Sequence, residues 1–189
     1  MSLMTCLASH TPLEPLPNPH MKLLSINEAL EQGIHVSDSL LYSEVDYDEP
    51  ETVLWSDIEI SISMDPATGE VSVSGDVDDN FDIWPVDMVD TLRTQRPYLA
   101  AVEWGSPTPG RAEILLDYIR RHLETAEDVE LWHLWMGGNE EEDPHVKRRA
   151  IQLAELTSEI IFDHVQSDVF ARTFPNVDSL THYCLTILR

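Results

Sequence analysis

Basic residues are scarce in this 189-residue chain: 11 Lys and Arg stand against 35 Asp and Glu, leaving a formal charge of -24 with histidine neutral. Binding the phosphates of nucleic acid needs clustered cations that release counterions, so nucleic acid is not an expected partner. An anionic membrane surface is disfavoured for the same reason. Cysteine is nearly absent. Cys6 and Cys184 stand near opposite ends of the chain and make no disulfide framework of the secreted kind, so free thiols in a reducing cytoplasm are expected. The seven glycines build neither G-x-x-x-x-G-K-[ST] nor G-x-G-x-x-G, and there is no G-x-S-x-G, which removes the usual phosphate-cradling loops and the nucleophile elbow. No apolar run approaches the roughly 20 residues of a membrane span, and residues 1–20 lack the basic start and apolar centre of a signal peptide.

What remains is sufficient for a core. Hydrophobic residues make up 42% of the chain, and five Trp, five Tyr and four Phe supply large side chains to bury. The length fits one domain. Residues 1–20 carry prolines at 12, 15, 17 and 19, which block helix and ladder bonds, so this stretch is expected to be a flexible tail and residues 21–189 a single domain.

Patterning along that domain predicts an α+β fold: a mainly antiparallel sheet with two or three helices on one face. Ser25 with Glu28 three places on is a capping box, and Gly33 is a stop, giving a helix over about 26–32. Alternation on either side of the 65–69 turn predicts a hairpin of strands 53–64 and 70–77, with Ile58, Ile60, Ile62 and Met64 on one face and Asp57, Glu59, Ser61 and Ser63 on the wet one. A strand follows over 97–104. Thr108-Pro109 opens a helix to about 124 with an apolar stripe of Ile114, Leu115, Tyr118, Ile119 and Leu123. Strands over 128–136 and 145–153 read as a second hairpin, a helix follows Thr157 to about 165, and the C-terminal run closes as a strand.

The negative charge is unevenly spread. From Leu23 to Leu92 there are eighteen Asp or Glu and no Lys or Arg. One dense group contains Asp46, Asp48 and Glu49, and another contains Asp76, Asp78, Asp79 and Asp82, closely followed by Trp84. A solvated acidic face that maintains solubility is the plain reading. The functional reading is a docking surface for a basic protein, with Trp84 as a partly exposed anchor, because complementary charge speeds association and selects partners.

Other chemistry is thinly supported. Residues 76–87 place oxygen ligands at alternate positions as a calcium loop does, but Phe81 occupies the sixth position, where the turn calls for Gly. His133, His145, His164 and His182 lack the short spacings of a zinc site, and His133 reads as a strand residue at the core's edge. Neither a metal, a cofactor nor a catalytic residue is assigned. Lys147, Arg148 and Arg149 form the one basic cluster, expected to face the acidic 140–143 turn across the second hairpin, with a phosphate site as the alternative.

The order of elements from Arg111 through ELWHLWMG, HVKRRAIQLAELTSE and HYCLTILR resembles the closing half of small acidic bacterial immunity proteins that accompany polymorphic toxins. The resemblance covers roughly 80 residues. It implies an α+β fold, no catalysis and a complex with a cognate toxin, and it carries over no binding residue. The combined expectation is a cytoplasmic, non-catalytic module that neutralises a basic partner through Asp46, Asp48, Glu49, Asp76, Asp78, Asp79, Asp82 and Trp84. The alternatives are a small carboxylate- or divalent-metal-dependent hydrolase, and a structural protein that homodimerises.

Overall fold

The computed structural model describes residues 2–42, 44–64, 69, 71–87, 92–136, 145–166 and 181–189. In chain order the elements are strands β1 (Ser2–Ser9) and β2 (Met21–Leu24), helices α1 (Ile26–Glu31) and α2 (Asp38–Leu41), and strands β3 (Val53–Ser56), β4 (Ser61–Met64), β5 (Val71–Ser74), β6 (Phe81–Val86) and β7 (Tyr98–Trp104). Helix α3 (Pro109–His122), strands β8 (Asp128–Met136) and β9 (His145–Gln152), helix α4 (Ser158–Gln166) and strand β10 (Thr181–Leu188) complete the chain. The fold class is α+β, as the patterning predicts. Two compact units form, Met1–Pro17 with Phe81–Arg189, and Asn18–Asn80.

The larger unit is a six-stranded sheet in the order β6-β7-β1-β8-β10-β9. All pairs are antiparallel except β9 with β10. Its inner strand β1 corrects the expectation of a flexible tail. The prolines begin only at Pro12, and the residues before them are apolar on both faces: Cys6, Leu7 and Ala8 are fully buried, as a strand covered on both sides requires. The proline segment is itself tied down, because Leu16 exchanges two 2.9 Å backbone hydrogen bonds with Ile83 of β6. Strand β6 was not foreseen. It carries Pro85, which sequence reasoning reserves for sheet edges, and β6 is an edge strand.

The proposed second hairpin also needs correction. β8 and β9 are not neighbours: β10 lies between them, antiparallel to β8 and parallel to β9. A parallel pair needs a crossover, and α4, between β9 and β10, supplies it. The acidic 140–143 turn lies outside the described residues. Helices α3 and α4 cover one sheet face, where Leu115, Ile119 and Ile161 pack on Leu7, Val102, Leu131 and Leu185. The opposite face buries Cys6, Ala8, Trp132, Leu134 and Cys184 beneath Leu92. Cys6 and Cys184 both partner Trp132 in register from either side and remain free thiols, pushed up to about 12 by burial.

In the Asn18–Asn80 unit the capping box is formed: Ser25 Oγ accepts from Glu28 N at 3.1 Å while the Glu28 carboxylate accepts from Ser25 N at 2.7 Å. Gly33 follows α1 with φ 71. The long first hairpin divides into two ribbons. β3 pairs with β2, and β4 pairs with β5, both antiparallel. The core is Leu24, Ile26, Ala29, Val36 and Val53. The alternation of Ile58, Ile60 and Met64 does not produce a buried face, since Ile60 and Met64 remain exposed, as do the register partners Leu23 and Leu54.

Candidate functional site

The first acidic group is held on a loop whose shape its own side chains fix. Asn27, in the first turn of α1, donates its backbone N–H to the Tyr47 carbonyl at 3.1 Å and its side-chain amide to Asp48 Oδ1 at 2.8 Å. Asp46 Oδ1 accepts from Asp48 N at 3.0 Å, an Asx turn, and Thr52 Oγ1 closes the loop by donating to the Glu49 carbonyl at 2.8 Å. The Tyr47 hydroxyl donates to the Leu41 carbonyl. Glu44, Asp46, Asp48, Glu49 and Glu51 are nonetheless all exposed. Tyr42, at the end of α2 and two residues before Glu44 in the chain, is 86% exposed. Ser25, Asn27, Glu28, Glu31, Asp48 and Pro50 line an open hollow of about 260 Å³.

The second acidic group is a different object. Asp76 Oδ1 accepts from Val77 N at 3.1 Å and from the Asn80 amide at 2.8 Å, and Asn80 Oδ1 accepts from the Asn18 amide at 2.9 Å. His20 sits between two carboxylates, one ring nitrogen 2.9 Å from Asp79 and the other 2.9 Å from Asp57. The hydrogen bonds to Asp79 and Asp57 raise its pKa above the ordinary value, favouring the imidazolium. Asp76 and Asp79 therefore hold a turn together, and Asp78 stays exposed. This local bonding, with Phe81 already the first residue of β6, is not the helix-flanked loop of a calcium site. Among the described residues no group of three or more His, Cys, Asp and Glu side chains is arranged to hold a metal ion.

Asp82 and Trp84 lie on β6, in the larger unit. Trp84 is 47% exposed, in keeping with the expected partial exposure. Asp82 is the register partner of Glu103 on β7. Burial pushes its carboxyl above the ordinary range, opposed by a hydrogen bond with Trp84 and reinforced by Glu103. Comparison with known protein families, curated proteins and solved structures gives no match.

Sequence reasoning missed Tyr42, whose signal was an aromatic opening the run from 42 to 51, and His20, masked by its proline-rich surroundings. It also missed an ion network over the second sheet face. Glu130 on β8 accepts from Thr94 Oγ1 at 2.7 Å, Trp132 Nε1 at 2.9 Å and Arg148 Nη1 at 3.2 Å, with Arg96 Nε at 3.4 Å. Arg96 also makes a two-pronged pair with Asp128, whose carboxyl that guanidinium holds below the ordinary range. Arg148 lies 4.8 Å from the Trp132 ring centroid. Among the described residues its partners are thus β8 and the loop before β7; the turn expected to face it lies outside them.

Proposed function

We propose that the chain is a non-catalytic acidic binding protein of the immunity or inhibitor type, which engages a basic protein through the Asn18–Asn80 unit. The observation that carries this reading is Tyr42, 86% exposed and followed in the chain by five exposed carboxylates on a hydrogen-bonded loop. An exposed aromatic costs solvation, and a ring just ahead of an acidic, hydrogen-bonded loop in the chain has the make-up of an interface anchor with a charged rim. The unit holds fifteen Asp and Glu against one Lys, Lys22, whose ammonium is 5.3 Å from the Trp55 ring centroid. Such a field steers a cationic partner in from a distance. Asp46, Asp48 and Glu49 supply the rim, Asp78 extends the charge, and Asp76 and Asp79 shape their turn.

The test is capture from source-cell lysate, repeated with Tyr42→Ala and with Asp46, Asp48 and Glu49 changed to Asn. One cationic protein should be retained, with affinity falling at least tenfold in either variant and falling further as salt rises. Retention unchanged in both variants would remove the reading. The Asp82–Glu103 carboxylate pair favours the alternative of acid–base hydrolysis. That alternative requires a hydrolytic activity abolished by Asp82→Asn and indifferent to Tyr42→Ala.

A further inference from the structure

One line of side chains across the helix-facing side of the large sheet differs from the apolar lines beside it. Thr5 on β1, His133 on β8, Tyr183 on β10 and Lys147 on β9 are successive register partners. The adjoining line runs Leu7, Leu131, Leu185 and ends on Arg149. Cross-strand partners have Cβ atoms about 5 Å apart, so the polar groups form a continuous track. Burial along it is graded: Lys147 and Arg149 are exposed, Tyr183 is half-buried, and Thr5 and His133 are each 4% exposed.

The inner end carries an uncompensated atom. His133 Nδ1 is buried without a hydrogen-bond partner, a condition folded proteins rarely leave unless something outside the chain completes it. His164 of α4 borders this end, with Nε2 3.0 Å from the Leu131 carbonyl oxygen, and acts electrostatically on His133 as Arg149 acts on it. At the outer end the Lys147 ammonium is 5.5 Å from the Tyr183 ring centroid. Neither line carries a carboxylate, in a chain with 35 of them.

We propose that this track binds a small oxyanion, a phosphate group. Lys147 and Arg149 supply the charge, and the Tyr183 hydroxyl with the His133 imidazole supplies the inner hydrogen bonds; Thr5, three strand spacings or about 14 Å from Lys147, lies beyond the reach of one phosphate. Arg149 offers the planar fork that suits phosphate oxygens, Lys147 a point charge, and a hydroxyl can donate or accept as the phosphate's protonation requires. The chain's overall negative field does not forbid this, because at physiological ionic strength charges more than about 8 Å away are largely screened.

The test follows the histidine ring resonances of the isotope-labelled full-length protein while inorganic phosphate or O-phosphoserine is added at constant ionic strength. The His133 resonances should shift saturably, with affinity about tenfold weaker or worse in Lys147→Gln/Arg149→Gln, the scale of one lost charge-assisted hydrogen bond. Saturation by either ligand supports the site, and the tighter one identifies free phosphate or a phosphoryl ester as its source. No saturable shift with either ligand, or saturation unaltered in the double variant, overturns it. Lys147 and Arg149 are exposed, so that variant should keep the fold, which its amide spectrum checks before the ligands are compared.

Discussion

Gly75 shows how one residue can be required by the backbone alone. Its φ is 86, and a Cβ at that position would stand 2.1 Å from the Glu59 carbonyl oxygen. Gly33 has a comparable φ of 71 but open space around it. Gly75→Ala should therefore cost about 2 kcal/mol or more, and Gly33→Ala only about 1 kcal/mol, the cost of a left-handed backbone without a clash. Urea unfolding of the two variants checks the order, which is the reverse of what a helix-stop argument favouring Gly33 would give. At this scale sequence revealed composition better than engagement. Asp46, Asp48 and Glu49 were legible as exposed carboxylates because nothing basic stands near them in sequence. The division of labour within 76–82 was not, because it depends on Asn18, His20 and Asp57, which lie far from it in sequence.

At the scale of elements, α1, α3, β7, β8, β9, α4 and β10 were readable from caps and periodicity, since each signal is local. Pairing was not. Alternation in β3 and β4 is the same whether they continue one strand or join two ribbons, and nothing in β9 records that β10 will be inserted beside it. What pins β8 to its surroundings is chemistry on top of register. Glu130 is only 7% exposed and is met by Arg96, Arg148, Thr94 and the Trp132 indole. Removing one member of a buried ion pair leaves the other charge uncompensated. Glu130→Ala should destabilise the protein by about 3 kcal/mol, and Trp132 fluorescence should report the loss because Arg148 and Glu130 both contact its indole. A cost under about 1 kcal/mol would mean that water already shares those charges.

At the scale of the whole molecule, histidines make opposed proton-linked contributions. Burial pushes His133 and His164 down to about 4, His133 further depressed by His164 and His164 by Arg149 against its bond to the Leu131 carbonyl. Both rings are favoured neutral in the fold. Their contribution is complete above the unfolded value near 6.5 and is lost as pH falls from there toward 4, at up to about 1.4 kcal/mol per pH unit for each ring. His20 has the opposite sign. Its raised pKa means a contribution complete below about 6.5 that fades as pH rises through the folded value. Denaturant midpoints across pH should fall steeply on the acid side. His20→Asn should flatten the alkaline shoulder and leave the acid limb unchanged, while His164→Gln should make the acid limb shallower. The inner position of β1 has a kinetic corollary. Strand Ser2–Ser9 finds both neighbours in β7 and β8, from about 90 to about 130 residues further along. Loops of that span must close before the sheet's middle exists, a topology of high contact order, so refolding of this chain belongs to the slow, milliseconds-to-seconds regime of non-local β proteins.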